Sequence, residues 1–273
     1  MVRVLLTNDD GIHAAGLQAL RRALLEIPDI QLEVIAPDEN RSATARSITT
    51  RRSLGVEEVS FDDGTVGYAT DGTPVDCVRC GWLGVVDGFR PDLVVSGINH
   101  GANVGDDISY SGTVAAAFEA IVLGLPGIAV SQQSVARELD FRLVERFDFS
   151  RSAAFAARVV AGLGDVPLRA GTLLNINVPD GVPDGVALCR IGKRIYGDEL
   201  VLESTEADGR RRYRVYGTSP GFEDESGTDV SAVAGGRVAV TPIHFDLTDH
   251  QGLEALADYD LGRLLAPAPS PPA

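Results

Sequence analysis

Strand-like and helix-like segments alternate along the first half of the chain, and this alternation limits the folds open to it. A β-prone run, Arg3–Thr7, is followed by leucines at helical spacing and then by a second β-prone run, Leu32–Ala36. Further strands are predicted at Leu93–Ser96, Gly127–Ser131 and Thr172–Val178. Strands that alternate with helices at such short spacings are typical of βαβ units and a mostly parallel sheet.

Helix signals fall between these strands. Thr73 is a predicted N-cap and Pro74 stands at the first position of the helix that follows it. Thr113–Leu123 and Ser150–Leu163 are predicted as two further helices. We therefore predict an open, mostly parallel, Rossmann-like α/β sheet with helices on both faces.

The pattern changes near Pro179, where the chain becomes β-prone and strongly charged. A turn signal at Glu206–Gly209 predicts a polar β-hairpin that projects from the core, and a returning strand and a terminal helix follow at Arg237–Ile243 and Leu253–Leu265. We therefore divide the chain into a catalytic core (1–180), an arm that serves oligomerisation (181–266) and a disordered tail (267–273).

Composition excludes several classes of function. Lys and Arg number 24 against 39 Asp and Glu, a net charge of −15, so we expect neither nucleic acid nor an anionic membrane as a partner. No apolar run approaches the roughly 20 residues that span a bilayer, and the first apolar stretch is too short for a signal peptide. Three cysteines make no disulfide framework, so a cytoplasmic protein is expected.

Polar loops follow three of the predicted strands, and parallel strands bring such loops to one edge of a sheet. They are Thr7–Gly11, Asp38–Ala43 and Gly97–Asp107. The adjacent carboxylates of Asp9 and Asp10 repel each other, and burying both without a partner is unfavourable. A divalent cation removes this conflict, and Ser and Asn oxygens from the other loops complete a ligand set suited to Mg²⁺ or Mn²⁺. Read alone, this Asp-Asp-Gly turn is more typical of a capped strand-to-helix connection.

A phosphate site is predicted beside this metal site. The third loop carries Gly97, Gly101 and Gly105, and Ser111–Thr113 then opens a helix. Glycine lets the backbone approach a ligand, and a helix N-terminus offers free N–H groups and a partial positive charge to an anion. A glycine-rich connector with Ser111 or Thr113 as an ordinary N-cap is equally compatible with the pattern.

Two common phosphate motifs are absent, and Ser111 does not stand in the usual hydrolase motif. The sequence contains no Gly-x-x-x-x-Gly-Lys-Ser/Thr, and the glycine spacing of the third loop does not match Gly-x-Gly-x-x-Gly. Ser111 is not the serine of a Gly-x-Ser-x-Gly. An aspartyl-phosphate enzyme needs two aspartates two positions apart, but here Asp9 and Asp10 are adjacent and Gly11 follows them. A metal-activated water therefore fits these residues better than a covalent aspartate.

The loops resemble the SurE family, the survival protein E nucleotidases, over nearly the whole chain and in the family's order. The matching segments are Leu6–Ala14, Ala36–Asp38 with Asn40–Ser42, Gly72–Val78, Val95–Asp107, Tyr110–Val114, and Gly227–Asp229 with Val238–Pro242.

This resemblance implies a metal-dependent phosphatase that acts on nucleoside 5′- and 3′-monophosphates, and in some members on short polyphosphate. It implies one divalent cation per subunit, with ligands that by position are Asp9, Asp10, Ser42 and Asn99. It also implies homodimers or homotetramers that exchange C-terminal segments, here the charged hairpin and the terminal helix.

The resemblance and the residues together suggest roles for the site. We predict that Asp9, Asp10 and Asn99 are catalytic, and that the phosphate is held by Asn8, Ser111, Gly112 and Thr113. Either Asn8 or Asp9 accepts a proton from the attacking water or orients it.

Neighbouring residues leave alternatives open. His100 is either a general acid or a hydrogen-bonding support, Tyr110 either contacts a base or packs, and Arg41 either steers phosphate or is solvated. Cys77 and Cys80 stand at ordinary core spacing on a predicted helix.

Two other classes of function are compatible with these residues. One is a serine hydrolase that uses Ser111 with His244 or His100, and the other is a regulatory module that binds nucleotide without turnover. The paired aspartates argue against the second, because binding an anion does not need two repelling carboxylates beside it.

Overall fold

The computed structural model describes residues 1–134, 147–197, 199–215 and 221–265, and this part of the chain builds one large sheet and two small ones. Its strands are β1 (Val2–Thr7), β2 (Ile30–Pro37), β3 (Val56–Ser60), β4 (Val66–Thr70), β5 (Leu93–His100), β6 (Gly127–Gln132), β7 (Thr172–Val178), β8 (Val186–Leu188), β9 (Arg194–Ile195), β10 (Val201–Thr205), β11 (Arg211–Arg214), β12 (Gly221–Phe222) and β13 (Val238–His244). Its α-helices are α1 (Ala15–Leu25), α2 (Pro74–Leu83), α3 (Gly112–Val122), α4 (Ser150–Ala161), α5 (Asp229–Ala234) and α6 (His250–Ala257). Short 3-10 turns span Gly105–Ser109, Leu163–Asp165 and Leu261–Leu265.

The large sheet has the strand order β3-β4-β2-β1-β5-β6-β7-β13-β8 within the described residues. All neighbours from β4 to β7 are parallel, whereas β3 is antiparallel to β4 and β13 is antiparallel to β7. The predicted open, mostly parallel sheet is therefore confirmed. The β3–β4 hairpin at its edge is an element that the sequence analysis did not predict.

Helices cover both faces of this sheet, as predicted. On one face α1 and α4 share a hydrophobic cluster with Val4 and Leu6 of β1, and on the other α2 and α3 share a cluster with Leu5 of the same strand. All three side chains are fully buried, because a parallel strand with both faces covered has no solvent-exposed side.

The start of α2 confirms the predicted cap. The Thr73 hydroxyl accepts a hydrogen bond from the Asp76 N–H at 3.2 Å, and the Asp76 carboxylate accepts one from the Thr73 N–H at 2.9 Å. Pro74 occupies the first turn, where its missing N–H leaves no helical hydrogen bond unmade.

The C-terminal region contributes to the central sheet and also forms an exposed hairpin. The returning strand is β13, which pairs with β7 from Ala239 to His244. The predicted turn joins β10 to β11, where the Gly209 N–H donates to the Glu206 carbonyl at 3.0 Å, and this hairpin is almost entirely exposed. The division at residue 180 stays a prediction, and the predicted tail 267–273 lies outside the described residues.

Across residues 1–134, 147–197, 199–215 and 221–265, no helix is both long enough and apolar enough to traverse a bilayer.

Candidate active site

Three polar loops meet beyond the carboxyl ends of β2, β1 and β5, which are neighbours in the sheet. The Asp10 carboxylate joins them: it accepts one hydrogen bond from Asn40 Nδ2 at 3.1 Å and another from the His100 backbone N–H at 3.2 Å. The amide oxygen of Asn40 in turn accepts a hydrogen bond from the Ser42 N–H at 2.9 Å. The loops therefore meet at one edge of the sheet, as predicted from its parallel strands.

Asp9 lies against the first turn of α3 and is 3% exposed. The Thr113 hydroxyl donates to Asp9 Oδ1 at 2.5 Å. A Cβ atom added to Gly112 would lie 2.8 Å from Asp9 Cβ and 2.9 Å from Asp9 Oδ2, closer than side-chain atoms normally come. Glycine at this position is therefore what lets the carboxylate reach the helix N-terminus.

Burial raises the pKa of both aspartates. For Asp9 the loss of water raises the pKa, although the Thr113 hydroxyl and the backbone amides of Gly112 and Thr113 oppose the change. For Asp10 burial, followed by repulsion from Asp9, raises the pKa to about 7. Two carboxylates are thus held together where both resist ionisation, which is the conflict that a bound cation would remove.

Ser42 and Asn99 offer neutral oxygens at the same place. The Ser42 hydroxyl oxygen is buried and has no hydrogen-bond partner among the described residues. Asn99 donates its amide N–H to the Gly101 carbonyl at 2.8 Å, which leaves its amide oxygen as an acceptor.

These groups fit a hard divalent cation. In the described ranges no cluster of three or more His, Cys, Asp or Glu side chains could hold a metal ion, so a metal here needs neutral oxygens as well. Asp9, Asp10, Ser42 and Asn99 supply two carboxylates, an unpartnered hydroxyl and an amide oxygen. Such a set matches the oxygen preference of Mg²⁺ and Mn²⁺.

The side chains predicted to hold phosphate differ in which hydrogen-bond donors they still offer. Ser111 caps α3, and its Oγ accepts from the Val114 N–H at 3.1 Å. Among the described residues its hydroxyl hydrogen has no acceptor, so it can donate to a ligand. The Thr113 hydroxyl donates its hydrogen to the Asp9 carboxylate. Asn8 is fully buried, and both ends of its amide are bonded to the backbone of Gly11, at 2.9 and 3.2 Å.

His100 and Arg41 have environments that narrow their roles. The His100 ring lies 4.2 Å from the Phe147 ring, and burial lowers its pKa, so the imidazole is mostly neutral at pH 7. The Arg41 guanidinium forms ion pairs with Asp38 at 2.9 Å and with Glu39 at 2.8 Å.

Cys77 and Cys80 are free thiols in the core, where burial raises the pKa of each. Tyr110 precedes Ser111 and is 61% exposed.

Several supporting residues were missed in the sequence. Asn40 belongs to a motif of the resemblance, but its spacing did not indicate a bridge between Asp10 and Ser42. Asn175 and Asn177 are fully buried amides in β7, and two asparagines at alternate positions of an otherwise apolar strand were a signal that could have found them.

A protein-family comparison supports the same assignment as the loops. Residues 4–198 match the family model described as Survival protein SurE. A Rubrobacter xylanophilus protein named 5′-nucleotidase SurE is 51% identical over 97% of this chain and 99% of its own length. A protein of the same name from Pelotomaculum thermopropionicum is 45% identical over 93% of this chain and 94% of its own.

A solved structure shares the fold. The crystal structure of the SurE protein from Aquifex aeolicus superposes with a TM-score of 0.77 at 34% identity, and the match covers 93% of this chain and 98% of that one. With the family model, the near full-length relatives and this fold in agreement, the chain belongs to the SurE family.

Proposed function

We propose that this protein is a divalent-metal-dependent 5′/3′-nucleotidase that hydrolyses nucleoside 5′- and 3′-monophosphates to nucleoside and phosphate. The observation that carries the proposal is the pair of adjacent carboxylates: Asp9 is buried, and Asp10 is linked through Asn40 to Ser42, whose buried hydroxyl has no hydrogen-bond partner among the described residues. Relatives that cover nearly all of the chain carry the name 5′-nucleotidase. Short polyphosphate is a second substrate to test at the same site.

One Mg²⁺ or Mn²⁺ ion per subunit would be held by Asp9, Asp10, Ser42 and Asn99. When bound, the cation supplies positive charge that polarises the phosphoryl group and makes water more acidic. The protein itself would hold these four ligand oxygens in fixed positions relative to one another. Two contacts support these positions: Asn40 bridges Asp10 and Ser42, and the His100 N–H donates to Asp10.

The phosphoryl group would lie at the start of α3. Ser111, whose hydroxyl hydrogen has no acceptor in the described part of the chain, is the side-chain donor that the contacts favour, and the positive end of the helix adds to it at Gly112. Thr113 acts through Asp9, whose orientation its hydroxyl sets. Asn8 braces the Asp-Asp-Gly turn, and a direct phosphate contact from it stays a prediction.

Of Asn8 and Asp9, Asp9 is the one that would accept a proton from the attacking water, because the amide of Asn8 is not basic. A neutral His100 packed against Phe147 is poorly suited to protonate a leaving group, which favours its supporting role. The exposed ring of Tyr110, next to Ser111, offers an aromatic face to a nucleobase.

Self-association would use the C-terminal elements. Leu253 and Leu256 of α6 and Leu261 beyond it are each more than half exposed, which supports a homodimer or homotetramer that covers them. Light scattering on the purified chain distinguishes the two assemblies, and a monomer contradicts both. A cytoplasmic location likewise stays a prediction, to be checked by cell fractionation.

Phosphate release from a panel of nucleoside monophosphates tests the reaction. We expect release to stop with chelator, to return with Mg²⁺ or Mn²⁺, and to be lost in a folded Asp10→Ala variant. The exposed Asp87→Ala variant is the matched control. Metal-dependent activity retained in Asp10→Ala would contradict the site assignment.

Two other outcomes would favour the remaining classes of function. Release that resists chelation would favour a serine hydrolase built on Ser111. A folded protein that binds nucleotide and metal but releases no phosphate would be a binding module.

A further inference from the structure

The segment Gly101–Gly105, here called the strap, joins Asn99 to the turn that leads to Ser111. Alternate residues of the strap are anchored by different elements. The Gly101 N–H donates to the Gln132 carbonyl of β6 at 2.8 Å, and the Gly105 N–H donates to the Asp229 carboxylate at 3.0 Å.

Asn103, at the centre of the strap, is held by two buried amides of β7. Asn177 Oδ1 accepts from the Asn103 N–H at 2.7 Å, and Asn177 Nδ2 donates to the Asn103 carbonyl at 3.0 Å. Asn175 Nδ2 donates to the same carbonyl at 2.9 Å. The Asn103 side chain donates to the Ser131 hydroxyl at 2.8 Å. The side-chain amides of β7 thus bond to the backbone N–H and carbonyl of Asn103, as the backbone of a neighbouring strand would.

These bonds lie where water cannot replace them. Asn175 and Asn177 are fully buried, and Asn103 and Ser131 are buried as well. A buried polar group that loses its partner retains the full penalty of desolvation, so removal of the Asn177 amide leaves the Asn103 N–H without its acceptor. The strap then has to move or admit water.

Movement of the strap reaches the proposed metal site through one contact. Asn99 donates its amide N–H to the Gly101 carbonyl, and this bond determines which way the Asn99 oxygen is turned. The strap carbonyl is therefore a support for a proposed metal ligand, and β7 is the support of the strap.

We propose that Asn177, assisted by Asn175, is a positioning residue for the divalent cation: through the strap it holds the Asn99 oxygen toward the carboxylates of Asp9 and Asp10. The inference rests on the proposed function, because it takes Asn99 as a metal ligand. It assigns to two neutral side chains of β7 a part in metal binding without contact with the metal.

The test measures Mn²⁺ affinity directly, by calorimetry or by the electron paramagnetic resonance of free Mn²⁺, on the purified full chain. Asn177→Leu keeps the side-chain shape and removes both hydrogen bonds to Asn103, and we expect its Kd for Mn²⁺ to rise about 10- to 100-fold. Thr241→Val is the matched control: Thr241 is buried, pairs with Asn175 across the strands, and its hydroxyl has no partner among the described residues. Its Kd should stay that of the wild type.

Each result decides something. A folded Asn177→Leu variant that binds Mn²⁺ like the wild type overturns the inference, even if its thermal unfolding in chelator is shifted, because that shift shows only a structural role. If Asn177→Leu does not fold, Asn175→Leu, which removes one of the two donors to the Asn103 carbonyl, should raise the Kd by a smaller factor, and an unchanged Kd overturns the inference. A wild-type protein that binds no Mn²⁺ contradicts the proposed function instead.

Discussion

The Thr113 hydroxyl donates a hydrogen bond of 2.5 Å to Asp9 Oδ1 across 104 positions of sequence. It joins the first turn of α3 to the loop after β1, so one contact serves both parts of the proposed site. A carboxylate that accepts such a bond is turned and partly stabilised in its charged form before any cation arrives. The same bond uses the Thr113 hydroxyl hydrogen, and the contact of Thr113 with phosphate stays a prediction.

We expect Thr113→Val, which keeps the shape of the side chain and removes the donor, to weaken Mn²⁺ binding about 10- to 100-fold. The physical reason is that Asp9 loses the group that orients it and favours its ionised form. Calorimetric titration with Mn²⁺ measures the effect. Thr113→Ser, which retains the hydroxyl, should bind nearly as the wild type does; equal affinities for the Val and Ser variants would show that the hydroxyl plays no part.

Gly112→Ala tests the close approach of α3 to Asp9. The added methyl would lie 2.8 Å from Asp9 Cβ, so the helix start or the carboxylate has to shift. We expect a loss of about 1–3 kcal/mol in the free energy of unfolding, together with weaker Mn²⁺ binding. Gly164→Ala is the control, because a Cβ there meets no atom of the described residues within 4 Å and the residue also lies in a short helical turn. Similar losses in both variants would mean that the approach to Asp9 is not the cause.

Much of the fold was accessible from the sequence, for identifiable reasons. The prediction of Thr172–Val178 coincides with β7, and Thr73 and Pro74 mark the start of α2, because buried strands and caps are encoded locally. The β3–β4 hairpin was missed because an exposed edge strand carrying Glu57 and Glu58 has little apolar pattern. That β13 lies beside β7 could not be read from either segment alone.

The site shows the same division between local and distant information. That the loops of Asp9, Ser42 and Asn99 come together follows from parallel strand order. That Thr113 binds Asp9 and that Asn8 binds Gly11 depends on side-chain packing between elements or within one turn, which residue types and spacing do not specify. The predicted phosphate donors therefore fall into different roles, although their positions in the chain were identified.

The pKa of Asp10 predicts how the metal-free protein responds to pH. In the unfolded chain this carboxyl group ionises near 3.8, and in the folded chain burial and Asp9 raise its pKa to about 7. Between these values the folded state holds a proton on Asp10 that the unfolded state has released, so the contribution of Asp10 to the free energy of unfolding falls as the pH rises from about 4 to about 7 and then levels off.

Urea unfolding in the presence of chelator at a series of pH values measures this dependence. Asp10→Asn removes the titrating group and should flatten the fall, leaving the contribution of Asp9. The same slope in the variant and the wild type would contradict the assignment to Asp10.

Tyr110 gives a prediction about substrate preference. Tyr110 is 61% exposed. Its backbone N–H donates to the Asp107 carbonyl at 3.0 Å, and its carbonyl accepts from the Ala45 N–H at 3.2 Å, so the backbone is held on both sides. Loss of a stacked base contact costs about 1–3 kcal/mol, so Tyr110→Ala should raise the KM for a nucleoside monophosphate about tenfold. The KM for ribose 5-phosphate, which has no base, should stay unchanged. Tyr110→Phe keeps the ring and should behave as the wild type; an equal rise in KM for both substrates in Tyr110→Ala would mean that the residue shapes the phosphate site and does not contact the base.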